Sequence, residues 1–311
     1  MITRVDVDAA AVRISGRVRR TPVVELDAGT AAGPVWVKCE FFQHTGSFKA
    51  RGALNRVLAA KERGQLDPTV GIVVASGGNA GLANAYAAGQ VGVPATVFVP
   101  ETTPAVKVAR LRALGATVVP RGAEYAVAYE AAVAHAERTG AVYCHAYDQP
   151  EIVAGAGTIG VELLDQLGGA VDTVLVAAGG GGLMAGVAAA VEGTATVVAV
   201  EPVTIPTLHA ALAAGGPVDV PVSGIAIDTL GARRLGDIGY QVAARTGVRS
   251  VLVTDQDLID ARQRLWHDLR IAVEYGAAAG FAALVGKAYQ PAAGERLAIV
   301  LCGANTDPSD L

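Results

Sequence analysis

Several residue types are scarce in this chain, and each scarcity excludes something. Only three cysteines occur, Cys39, Cys144 and Cys302, far apart and without C-x-x-C spacing. A disulfide framework and a zinc site find no support, and a reducing cytoplasm is the expected setting. Lysine is scarce too: five (38, 49, 61, 107 and 287) stand beside twenty arginines. With 25 basic and 29 acidic side chains the net charge is −4, which lacks the electropositive footprint of a nucleic-acid binder. Charged residues are 17 % of the 311, against 52 % hydrophobic, the reverse of a disordered chain. The opening MITRVDVDAA has no apolar segment, so no secretory leader is expected.

Two uncharged stretches, 71–100 and 174–191, are long enough to cross a bilayer. Four consecutive glycines interrupt the second, each costing a helix about 1 kcal/mol. Ser76, Asn79, Asn84, Gln90 and Pro94 punctuate the first. Buried strand–loop–helix units explain both better, and a soluble protein without a membrane partner is expected.

Short β-rich runs at 35–39, 71–75, 96–99, 117–119, 174–176, 197–200, 251–253 and 297–301 read as strands. Most are apolar throughout rather than alternating, as in parallel sheets covered on both faces. Alanine-rich helical runs separate them at 46–60, 79–90, 105–114, 125–138, 151–167, 183–192 and 257–267. This order predicts an α/β protein of open, doubly wound sheets. The chain length suggests two domains of about 150 residues, or one large domain with an insertion. The compact spacing around 70–120 favours the insertion: a small domain, 45–145, within a large one made of 1–44 and 146–311.

Three segments are candidates for chemistry. Gly179, Gly180, Gly181 and Gly182 lie between the strand VLVAA and a helical run. Their amides, backed by a helix N-terminus, form a phosphate cradle that needs no basic side chain. One or two glycines suffice for a tight turn, so the run of four favours phosphate. SGGNAG (76–81) also joins a strand to a helix and offers donors suited to a carboxylate, although helix capping by Ser or Asn is the commoner use. Lys49 follows Gly46-Ser47-Phe48 at a helix start, where an apolar setting makes lysine a nucleophile or base. Alone, it reads better as an exposed first-turn lysine.

Together with HAYDQPEIVAGAGTIGVEL (145–163), VEYGAAAGFAAL (273–284) and AIVLCGAN (298–305), these motifs follow one known order. From about residue 21 to 305 the chain resembles the serine/threonine dehydratase family of fold-type II pyridoxal-phosphate enzymes, whose fold is tryptophan synthase β-like. The resemblance implies that Lys49 forms the Schiff base with pyridoxal phosphate and that Phe48 packs on the cofactor ring. It implies that Asn79 donates to the ring oxygen and that Gly179, Gly180, Gly181, Gly182 and Leu183 hold the phosphate. Ser76, Gly77, Asn79 and Ala80 would receive the substrate carboxylate. Cys302 would face the ring nitrogen, as in the short, animal-type serine dehydratase branch; an ordinary core cysteine is the bland alternative. Glu201 matches a glutamate near the family's cation site. Thr207 stands near the place of a further acidic residue in relatives that bind divalent metal, so a monovalent cation or a simple loop cap remains open.

The implied activity is β-elimination from a β-hydroxy amino acid, L-serine or L-threonine, to a 2-oxo acid and ammonia. A homodimer acting on a small amino-acid substrate is implied as well. The alternatives are a racemase, a threonine synthase or a β-replacement synthase on the same fold, and a non-catalytic phosphate-ligand binder. Racemases of the family carry a serine where Gly77 stands, which weighs against racemisation. His145 reads as structural, and Arg233 and Arg234 as surface residues paired with Asp228 or Asp237. Only 306–311 follow the last motif, so no effector domain and no isoleucine inhibition are expected.

Overall fold

The computed structural model describes residues 1–26 and 33–311. Its first half runs α1 (Arg4–Ile14), β1 (Val23–Leu26), β2 (Val35–Cys39), α2 (Lys49–Glu62), β3 (Ile72–Ala75), α3 (Asn79–Val91), β4 (Ala95–Val99), α4 (Ala105–Ala113), β5 (Thr117–Pro120), α5 (Tyr125–Thr139) and β6 (Val142–Tyr143). Then follow α6 (Pro150–Gln166), β7 (Thr173–Ala177), α7 (Gly182–Val191), β8 (Thr196–Pro202), α8 (Thr207–Ala214), α9 (Ile227–Leu230) and α10 (Asp237–Thr246). The chain ends with β9 (Arg249–Val253), α11 (Asp255–Leu269), α12 (Tyr275–Val285) and β10 (Leu297–Leu301). No helix among the described residues is long and apolar enough to cross a membrane.

Two sheets organise these elements. The larger has the order β1-β2-β10-β7-β8-β9 and is parallel except for β1, which pairs antiparallel with β2 at the edge. The smaller, β5-β4-β3-β6, is parallel throughout. All eight expected strands form. Every residue of β3, β7 and β10 is buried, which is why none of them alternates in polarity. In β3, Ile72 and Val74 face the core shared with Leu54 and Val57 of α2, while Val73 and Ala75 face Ala128 and Ala132 of α5. Ile14 of α1 also belongs to the first of these cores. Against the larger sheet, α6 and α7 nearly touch. A Cβ added at Gly186 would lie 2.3 Å from the Val153 carbonyl oxygen and 2.5 Å from the Gly157 nitrogen.

Several elements escaped pattern reading for physical reasons. β1 alternates weakly and β6 has only two residues. Helix α1 buries just Val7, Ala10 and Ile14, and its start is set by a capping box between Thr3 and Asp6. The helix expected from residue 46 begins instead at Lys49. Thr45 and Gly46 take positive φ values of 61° and 75°, and Ser47 is extended and bridges Gly303 beyond the end of β10. The turn preceding the lysine is thus tied to the neighbouring sheet rather than to its own helix.

Candidate active site

Strands β3, β7 and β10 deliver their loops at their carboxyl ends, where open α/β sheets bind ligands. The Phe48 amide donates to the Cys302 carbonyl at 2.9 Å, so the end of β10 fixes the start of α2. The Lys49 ammonium donates to the Ala146 carbonyl at 2.7 Å and lies 5.0 Å from the centre of the Phe48 ring. Part of Lys49 opens on the cleft, yet its surroundings are dense. Burial pushes its pKa down to about 8, against the opposing influence of Cys302 and Glu274. In cofactor-free protein, labelling of Lys49 by an amine-selective reagent should therefore rise through a midpoint near 8, not near 10.5. Mass spectrometry of the Lys49 peptide across pH reads this directly, and a midpoint at the ordinary value contradicts it.

Each glycine of the 179–182 loop answers a local demand. A Cβ on Gly179 would lie 2.9 Å from the Leu230 carbonyl, and one on Gly182 would lie 2.5 Å from the Tyr147 carbonyl. At Gly180 it would sit 2.3 Å from the Tyr147 ring, while Gly181 has φ +87° as the cap of α7. The inference that four glycines exceed the needs of a turn therefore fails: close packing and one left-handed residue account for all of them. What favours an anion here is the position. The first turn of α7 leaves its amides without intrahelical acceptors, and the helix dipole adds positive character. Leu183 is buried behind the loop.

In the second loop, Ser76 Oγ accepts from the Gly78 amide at 3.2 Å, and Ala80 is buried in the first turn of α3. A Cβ on Gly77 would lie 3.0 Å from the Thr103 methyl and 3.6 Å from its hydroxyl. The Asn79 Nδ2 donates to both oxygens of Glu274 at 2.9 and 3.0 Å, and its Oδ1 accepts from Asn305 Nδ2 at 2.7 Å. Gly77, Asn79, Lys107, Asp228, Glu274 and Asn305 line one pocket. Glu274 is only 3 % exposed, and burial pushes its carboxyl pKa up while bonds from Asn79 and Asn305 pull it down. Sequence reasoning did not single out Glu274 or Asn305. The available signal was that Glu274 is the sole carboxylate in the segment 273–284.

Cys302 directly follows β10 beside this cluster; burial pushes its thiol pKa up, so it stays protonated. Glu201 lies apart from the lysine. Its carboxylate accepts from Thr207 Oγ1, the Leu208 and His209 amides and Ser250 Oγ, capping α8. Thr207 joins it to the glycine loop, its single hydroxyl proton shared between the Glu201 carboxylate at 3.0 Å and the Gly179 carbonyl at 2.5 Å. His145 Nδ1 accepts from the Tyr147 and Asp148 amides, a structural use. The expected partners of the arginine pair need correcting. Arg234 meets Asp219 at 3.3 Å, whereas Asp228 is taken by Lys107 at 3.1 Å, because α9 places Asp228 over the pocket mouth.

The structure thus brings Lys49, Phe48 and Cys302 together, and Asn79 with Glu274. Lys49 is linked to the glycine loop through Ala146 and Tyr147. A half-buried amine of lowered pKa, an amide cradle and a neutral thiol suit an aldehyde cofactor bearing phosphate and a weakly basic ring. The family description "pyridoxal-phosphate dependent enzyme" matches residues 14–303, and the chain belongs to that family. It is 33 % identical to an L-threonine ammonia-lyase of Thermotoga maritima, covering 99 % of this chain and 76 % of that one. It is 35 % identical to a phenylserine dehydratase of Ralstonia pickettii, covering 95 % and 90 % respectively. Among solved structures, maize serine racemase superposes with a TM-score of 0.91 at 31 % identity over 98 % of this chain and 94 % of that one. The fold is α/β, fold-type II.

Proposed function

We propose that this enzyme removes the elements of ammonia from a β-hydroxy amino acid, L-serine or L-threonine, yielding a 2-oxo acid. The observation that carries the reading is the half-buried Lys49, bonded to the Ala146 carbonyl next to the Tyr147 that packs on the anion-ready glycine loop. Pyridoxal phosphate, when bound, supplies an electron sink for deprotonation at the substrate α-carbon. In this reading Gly179, Gly180, Gly181, Gly182 and Leu183 hold its phosphate, Phe48 packs on its ring, and Asn79 donates to the ring oxygen. Cys302 meets the ring nitrogen as an uncharged thiol and so does not force a proton onto it. Ser76, Gly77, Asn79 and Ala80 receive the substrate carboxylate at the start of α3, where the helix dipole favours an anion. Lys49 takes the α-proton as general base, and its lowered pKa leaves a useful neutral fraction near pH 7.

The three cysteines are buried and unpaired, which supports a cytoplasmic setting, and we assign the enzyme there as a homodimer. A monovalent cation near Glu201 would rest mainly on backbone carbonyls, because the Leu208 and His209 amides and the Ser250 hydroxyl already engage that carboxylate. A racemase is the second reading. Gly77 carries no hydroxyl, but Thr103 brings one within 3.6 Å of where a side chain at that position would begin. Product analysis with L-serine and L-threonine separates these outcomes. Equimolar 2-oxo acid and ammonia support the lyase, whereas accumulation of the D-enantiomer without ammonia replaces it with the racemase.

A further inference from the structure

A side-chain amide looks nearly the same from both ends, so which end meets a ligand must be enforced by its neighbours. At Asn79 the enforcement runs through a chain of obligate roles. The Thr45 carbonyl can only accept, and Asn305 Nδ2 donates to it at 2.7 Å. The same nitrogen donates to Asn79 Oδ1 at 2.7 Å, so Asn305 cannot turn over without losing both bonds. At the far end, Asn79 Nδ2 meets both oxygens of Glu274. Turning Asn79 over would set its oxygen against a carboxylate and its nitrogen against another NH2 group.

Glu274 is itself held in place. One of its oxygens accepts from the Asn305 amide at 2.8 Å, and its own amide donates to the Gly303 carbonyl at 3.1 Å. Both oxygens stand 3.1 Å from where a Cβ on Gly303 would be, so a side chain there would press on the carboxylate. An amide nitrogen has two protons; sharing one between the two oxygens of Glu274 leaves the other for the cleft.

We propose that Glu274 is a positioning residue, which fixes the Asn79 amide with its nitrogen rather than its oxygen presented to the cofactor. This rests on the proposed role of Asn79 toward pyridoxal phosphate. Because only acceptor capacity is required, the charge of Glu274 is dispensable. A glutamine at 274 keeps one oxygen in place for both Asn79 Nδ2 and the Asn305 amide.

The test compares holoenzymes carrying Glu274→Leu, Glu274→Gln, Asn79→Ala and the Glu274→Leu/Asn79→Ala pair. Glu274→Leu should shift the absorbance maximum of the bound cofactor and lower kcat by roughly tenfold or more, the scale of a lost hydrogen bond to a charged group. Asn79→Ala should give the same shift, and the double variant should add nothing to it. Glu274→Gln should keep the wild-type spectrum and most of the activity. Asn305→Leu, which frees the other end of the amide, should reproduce the shift and serves if Glu274→Leu does not fold. Borohydride fixation of the cofactor on Lys49 is followed in parallel. An unshifted band in Glu274→Leu, additive shifts in the double variant, or a Gln variant as damaged as the Leu variant overturns the proposal while fixation on Lys49 persists. Loss of fixation on Lys49 in the unmodified enzyme overturns the site reading itself.

Discussion

Lys49→Ala should leave a folded protein whose turnover falls on the order of 10,000-fold or more, since in the proposed function it removes both the covalent anchor and the general base. No neighbour can stand in. Lys38 is fully buried and committed to Thr21, Glu162 and Gln166. Lys107 is held by Asp228. The cost to stability should be small. Among the described residues the Lys49 ammonium makes a single hydrogen bond, to Ala146, worth about 1 kcal/mol, and its removal relieves the burial of a charge. Turnover assays with circular dichroism and thermal unfolding read both halves. Retention of more than a few per cent of the activity in a folded variant contradicts the assignment.

The second large effect lies two residues further along the same helix and concerns stability. Arg51 is fully buried, bonded to Glu40 at 2.8 Å through Nε and Nη2, and to Glu162 at 2.7 and 2.9 Å. Lys38 adds a second cation on Glu162 at 2.7 Å, which balances two carboxylates with two bases. The Thr21 hydroxyl closes the set on Glu40 at 2.5 Å. Arg51→Met keeps much of the volume but strands Glu40, a carboxylate with no exposure, beside a single threonine donor. Breaking a buried pair in this way costs about 3–5 kcal/mol. A protein of ordinary stability has only roughly 5–15 kcal/mol to lose. Urea unfolding measures it directly, and a loss below about 1 kcal/mol would mean the quartet contributes little. Glu40→Gln combined with Arg51→Met should recover part of the loss by removing the stranded charge.

Patterns with a short period were legible without coordinates. The apolar runs at 71–75, 174–176 and 297–301 declared themselves as buried strands because both faces of the strands they form are covered. Lys49, the glycine loop and the 76–81 loop stand out as candidates because each departs from the composition around it: a rare lysine, a run without side chains, a polar break in an apolar stretch. The glycines, however, were read for the wrong reason. Their crowding against Leu230 and Tyr147, 51 and 33 positions away in the chain, exists only once α9 and the 145–149 segment fold over the loop.

By itself, the sequence determined the α/β class, the eight principal strands and the loops at the strand ends, because these follow from local propensity and from burial on both faces. Tertiary structure decided what depends on distant partners. Residues 46–48 leave the helix because Ser47 and Phe48 bond to the end of β10, more than 250 residues away in the chain. Lys49 acquires its lowered pKa from burial that no local window contains. Glu274, which would be a surface residue in an isolated helix, is drawn inside because Asn79 and Asn305 supply the donors that a buried carboxylate requires.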